Sequence, residues 1–133
     1  MKIGFTAGAF DITHTGHVLM FKECKEQCDY LIVALQTNPG LDRSEKNKPV
    51  QTISERYLML KSIKYIDEII PYETEAELYE LLKALKPDVR IVGADHEGKP
   101  FTGDDLPIEV YFNKREHSFS TTNLRRRICE NKS

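Results

Sequence analysis

The stretch Gly8–His17, GAFDITHTGH, follows the apolar run KIGFT (Lys2–Thr6) and sets His14 and His17 three residues apart around Gly16. A short β-branched and aromatic run, then a glycine-bearing turn, then a stretch without Pro or Gly from His17 to Cys28, reads as strand, loop and helix. Phe21, Cys24 and Cys28 fall on one face of that helix. A histidine pair at this spacing can hold a metal, pack in a core or grip a phosphate, and the rest of the chain must decide between these.

Outward from this unit the pattern repeats. YLIVAL (Tyr30–Leu35), EIIPY (Glu68–Tyr72), VRIVG (Val89–Gly93) and IEVYF (Ile108–Phe112) are further runs of strand length. A second helix opens at TISE, where Thr52 and Glu55 have capping-box spacing, and is expected to run to about Lys64 with Ile53, Tyr57, Leu60 and Ile63 on its inner stripe. A third opens on the box Thr74/Glu77 and turns Leu78, Leu81, Leu82 and Leu85 inward, with Pro87 just past its end. A last helix begins around STTN and runs through Arg125 to Cys129. Strands alternating with helices of this length predict an α/β fold: a doubly wound, Rossmann-like, five-stranded parallel sheet with helices on both faces.

The chain has 133 residues, enough for one domain spanning residues 1–133. Its 19 basic and 21 acidic side chains leave a net charge of −2, which argues against nucleic acid as a partner. There is no signal-peptide core or long apolar span, and the three cysteines form no secretory framework. A cytoplasmic protein with reduced thiols and no membrane association is expected.

In a doubly wound sheet, ligands bind outside the carboxyl ends of the strands. Residues 7–16 form the first such loop, so His14 and His17 stand at its mouth, with His17 in the first turn of a helix whose N–H groups and dipole favour an anion. Gly8 and Gly16 are read as leaving room for a phosphate against the backbone. Phosphate suits this arrangement better than metal. Zinc is the competing reading, with Cys24 and Cys28 one turn apart, but those thiols lie on the face expected to pack. Asp11 alone could equally be a turn residue.

The segment AGAFDITHTGH resembles the G-x-F-D-x-x-H-x-G-H signature of the cytidylyltransferase-like nucleotidyltransferases, and SFSTT (Ser118–Thr122) resembles their second signature at the start of the last helix. YIDEIIP (Tyr65–Pro71) and GADHEGK (Gly93–Lys99) are similar to the segments between, and size and layout are nearest the bacterial glycerol-3-phosphate cytidylyltransferases. The resemblance implies CMP transfer from CTP to a small phosphorylated acceptor, such as glycerol 3-phosphate or a related phospho-alcohol or phosphonate, with release of pyrophosphate. It implies His14, His17, Asp11, Arg115 and Lys46 as catalytic, and Ala9, Phe10, Gly16, Lys48, Arg56, Ser120, Thr121 and Thr122 as nucleotide-binding. Lys64, Asp67, Asp95 and His96 fall to the acceptor, Mg²⁺ comes with the triphosphate near Asp11 and Asp95, and the protein is expected to be a homodimer. For Ser120 and Thr121 plain N-capping is the other reading, and for Lys46 and Lys48 a solvated loop. The chain departs from the pattern at Lys64, at Ala94 and His96, and at Glu116, His117, Ser118 and Phe119, all where base and acceptor are gripped. KPVQTISER and YETEAELYELLKALKPD are similar instead to the heptose-phosphate adenylyltransferases, which use ATP and a sugar phosphate. A catalytically silent nucleotide-binding protein on the same fold is the alternative of another class.

Overall fold

In the computed structural model, which describes residues 1–39, 48–114 and 121–130, five strands form one all-parallel sheet: β1 (Ile3–Gly8), β2 (Tyr30–Gln36), β3 (Glu68–Tyr72), β4 (Val89–Gly93) and β5 (Glu109–Asn113), in the order β3-β2-β1-β4-β5. The helices are α1 (Thr15–Glu26), α2 (Ile53–Lys61), α3 (Glu75–Leu85) and α4 (Thr121–Glu130), and a 3₁₀ turn (Ala94–His96) follows β4. The chain reverses direction across the sheet at β1, so the β1–α1 loop opens at the switch point where such sheets bind ligands.

Strand β2 shows why both faces are covered. Its residues from Leu31 to Gln36 are all buried, the continuous run expected of a strand with helices on each side. Leu31, Val33 and Leu35 pack with Phe21 and Cys24 of α1, Leu60 of α2 and Val89 and Ile91 of β4. Ile32 and Ala34 face the other way, onto Leu78 and Leu82 of α3 with Phe5 and Tyr72. Each fully buried Leu or Phe contributes about 1.5–3 kcal/mol relative to exposure. Both predicted capping boxes form: Thr52 with Glu55, and Thr74 with Glu77.

Three local expectations are corrected. α2 ends at Lys61, short of Lys64, because the chain turns to bring Ile63, Tyr65 and Ile66 onto the core. Arg56, 1% exposed, faces inward in place of Tyr57, which is 39% exposed. α1 ends before Cys28, whose sulfur fits where Gly4 has no side chain: a Cβ there would lie 2.6 Å from Sγ. Among the described residues no helix is long and apolar enough to cross a membrane.

Candidate active site

The β1–α1 loop is strained. Phe10 and Ile12 both hold left-handed backbone, with φ of 48° and 50°. Such a conformation costs an L residue about 1–2 kcal/mol, so surrounding contacts must enforce it. The Phe10 ring is buried against Phe21, 5.2 Å between centroids, with His17 edge-on at 6.1 Å. Gly8 makes room for that ring, since a Cβ there would lie 3.1 Å from it; its small size serves Phe10 rather than a phosphate. The Ile12 N–H donates to Gln51 Oε1 at 2.9 Å.

Beyond Ile12 the two histidines build the start of α1. His14 is the N-cap, and its Nδ1 accepts from the Gly16 N–H at 3.0 Å, while Nδ1 of His17 accepts from the His14 N–H at 3.2 Å. This is a capping box made of two imidazoles, with ring centroids 4.2 Å apart. With each Nδ1 occupied as an acceptor, the neutral rings carry their protons on Nε2 and are donors there. Burial first, and then the nearby His14, push the His17 pKa down to about 4 against the opposing pull of Asp11. His17 is therefore a neutral N–H donor near pH 7, not the cation that an unperturbed imidazole readily becomes.

Among the described residues Asp11 binds three groups. Its Oδ1 accepts from the Gln51 N–H at 3.0 Å, and its Oδ2 from the Val50 N–H at 2.8 Å and from Arg125 Nη2 of α4 at 3.2 Å. Both oxygens are thus engaged, and Asp95 of the 3₁₀ turn curls back until Oδ1 crowds Gly93. Among the described residues no group of three or more His, Cys, Asp and Glu side chains is placed to hold a metal ion. With both oxygens held by protein donors, Asp11 does not fit a protein-held Mg²⁺. Burial pushes the Cys24 thiol up to about 12 while Asn113 pulls the other way, which suits a packed thiol.

Arg56 is the largest departure from the expected roles. Its Nε donates to the Gln51 carbonyl at 3.2 Å, Nη1 to those of Ala9 and Gln36 at 3.0 and 2.6 Å, and Nη2 to that of Thr37 at 2.6 Å. A buried guanidinium spent on four backbone carbonyls has no fork left for a nucleotide. It clamps the loop after β1, the end of β2 and the start of α2 into one body. Phe10 is likewise a core side chain, and Ala9 contributes its carbonyl to the clamp.

The remaining candidates divide by the end of the sheet they occupy. Asp95 and His96 follow β4 and are exposed at its carboxyl end. Asp67 precedes β3 and lies at the amino end, where it pairs with Lys25 and accepts the Leu31 N–H at 2.8 Å. Burial alone would raise its pKa, but those partners hold it below the usual carboxylate value. Lys64, on the same connection, rests over the Tyr65 ring. Neither is brought to the mouth with the histidines. Lys48 and Thr122 are exposed, Gly16 is buried in the cap, and Thr121 begins α4. Arg115, Lys46 and Ser120, with Glu116, His117, Ser118 and Phe119, lie outside the described residues. Sequence reasoning missed Gln51 and Arg125; Gln51 gave no signal beyond standing just ahead of the Thr52 cap.

A parallel sheet reversing at β1, with a histidine-capped helix at the switch point, places the chain among the doubly wound α/β folds that bind ligands at that point. The family model described as cytidylyltransferase-like matches residues 5–127, and the chain belongs to that family. It is 37% identical over 131 residues to the bifunctional protein HldE of Aliarcobacter butzleri, covering 98% of this chain and 27% of that protein. It is 38% identical over 110 residues to the bifunctional protein HldE of Wolinella succinogenes, covering 82% and 23%. The chain thus spans about a quarter of the length of the curated relatives it matches. Among solved structures, the lipopolysaccharide core biosynthesis protein of Thermoplasma volcanium superposes with a TM-score of 0.73 at 22% identity, over 88% of this chain and 99% of that one, a likeness of fold.

Proposed function

We propose that this chain is an adenylyltransferase that moves AMP from ATP to a sugar phosphate, releasing pyrophosphate. The observation that carries the phosphate chemistry is the imidazole capping box at the N-terminus of α1: two rings each accepting a backbone N–H at Nδ1, which leaves Nε2 as the donor nitrogen. Two further points favour ATP over CTP. KPVQTISER and YETEAELYELLKALKPD resemble heptose-phosphate adenylyltransferases, and the relatives named above are HldE proteins rather than cytidylyltransferases of the glycerol phosphate type. The finer CTP reading rests on the spacing of Arg115 to Ser120 and stands second.

In the proposed reaction an oxygen of the acceptor phosphate attacks the α-phosphorus of ATP. The new O–Pα bond forms as the bond from Pα to the bridging oxygen breaks, and pyrophosphate leaves with that electron pair. No protein nucleophile is needed, so the protein contributes position and charge stabilisation. His14 and His17 donate their Nε2–H to phosphate oxygens, and the strained loop holds them ready before substrate arrives. Asp11 acts through the backbone it fixes. Magnesium enters as part of the substrate, carried on the triphosphate.

The test is pyrophosphate release with each of ATP, CTP, GTP and UTP, Mg²⁺, and a panel of sugar phosphates, glycerol 3-phosphate and phosphonates. Turnover with ATP and a sugar phosphate is expected. Turnover with CTP alone would restore the cytidylyl reading, and none with any pair would favour a silent nucleotide-binding protein.

A further inference from the structure

The core holds α4 loosely. None of its residues whose side chains are described is buried, and Ile128 is 62% exposed, so apolar burial fixes the helix weakly. Among the described residues, Arg125 reaches from it to the signature loop, its Nη2 standing 3.2 Å from Asp11 Oδ2. An exposed ion pair is worth little because two long side chains must be ordered for it. This pair differs on one side: the Asp11 side chain is 13% exposed, is already fixed by the Val50 and Gln51 N–H groups, and lies between the two left-handed residues of the loop. Only the arginine has to be ordered, and its planar fork loses little freedom on binding.

We infer that Arg125 is a positioning residue: by binding Asp11 it docks α4 on the signature loop and sets where the first turn of α4 stands relative to His14 and His17. The inference rests on the nucleotidyl-transfer reading of the site. Arg125 lies four residues beyond Thr121, one helical turn or about 6 Å along the axis, so a rigid helix passes its docking directly to that first turn. A misplacement of about 1 Å is enough to cost a large factor in rate.

The experiment measures Kd for Mg·ATP by calorimetry and steady-state kinetics with a sugar phosphate acceptor on Arg125→Ala, Arg125→Lys and the unmodified protein, with melting curves alongside. For Arg125→Ala, a rise of about tenfold in nucleotide Kd, a fall of about tenfold in kcat, an acceptor KM within about twofold and a nearly unchanged Tm are expected. Arg125→Lys keeps the charge without the fork and should shift nucleotide Kd in the same direction by about threefold; it carries the test if the alanine variant does not fold. Unaltered nucleotide affinity and kcat in these variants, or a loss confined to Tm, overturns the inference and leaves the transfer reading standing. An unmodified protein that neither binds nor turns over any nucleotide overturns both.

Discussion

The two edges of the sheet use one chemical device to different ends. At the amino edge Asp29, Asp88 and Asp67 each accept a backbone N–H at the start of a strand, from Lys2, Ile3 and Leu31 at 2.7, 2.7 and 2.8 Å. At the carboxyl edge Asp11 likewise accepts the Val50 and Gln51 N–H groups. The amino-edge carboxylates stitch regular strands, and the left-handed residue nearby, Lys86, merely ends a helix. Asp11 instead sits between two strained residues and beside a helix capped by imidazoles. A carboxylate that takes backbone N–H groups is therefore not functional by chemistry alone. The strain it stands beside, and the end of the sheet it occupies, tell a stitch from part of a site.

The comparison breaks most visibly at Arg56. Replacing it with Ala strips the buried carbonyl of Gln36 and the half-buried ones of Ala9, Thr37 and Gln51 of their donor and leaves a void. We expect a loss of about 3 kcal/mol or more, read as a Tm lower by about 10 °C. A stable Arg56→Ala that had lost only nucleotide affinity would return Arg56 to the nucleotide.

His14→Asn sharpens the carboxyl side. Asn is a good N-cap, so α1 should keep its start and Tm should move by no more than about 2 °C. The Nε2–H donor is gone, and kcat/KM should fall about 100-fold. Full activity would reduce the imidazole pair to a helix cap, equivalent to the Thr52 and Thr74 boxes.

The pH dependence of stability comes next. Because the His17 pKa is lowered from 6.5 to about 4, the unfolded chain binds more protons than the folded one between those values. Stability should rise with pH through that window and be lost as pH falls through it, by about 2 kcal/mol after allowing for the ring's partial exposure. Denaturant melts from pH 4 to 7 check this, and His17→Gln should flatten the slope. An unchanged slope in that variant would assign the effect to other groups.

The smallest effect belongs to the amino edge. Asp67→Asn should cost about 1 kcal/mol near neutral pH, with kcat and both KM values unchanged at 25 °C. Because the Asp67 pKa is held below its ordinary value in the folded state, the contribution it makes is present above the unfolded pKa and fades as pH falls through the folded one. A loss of acceptor affinity at constant Tm would mean that this edge serves the substrate after all.

What could be read from the sequence was local. The strand runs and both Thr/Glu capping boxes depend on residues within three or four positions of one another, and they fold as the pattern dictates. The histidine pair was legible for the same reason, although its self-capping geometry was not. Motif similarity assigned Arg56 to the nucleotide and the apolar stripe turned Tyr57 inward, whereas burying a guanidinium is tolerable only when distant carbonyls converge on it, which no local pattern announces. Arg125 and Asp11 are 114 residues apart, so no spacing announces them. Motif similarity assigned Asp67 to the acceptor, whereas the structure sets it just ahead of a parallel strand, at the amino edge.

The most direct test of the account supplies equal concentrations of ATP and CTP with Mg²⁺ and a sugar phosphate, and identifies the products by mass spectrometry. A sugar carrying ADP is expected, formed in equal amount with pyrophosphate, with no nucleotide attached to the protein. A CDP-linked product in excess, a nucleotide bound covalently to the chain, or free AMP in place of a sugar nucleotide would contradict it.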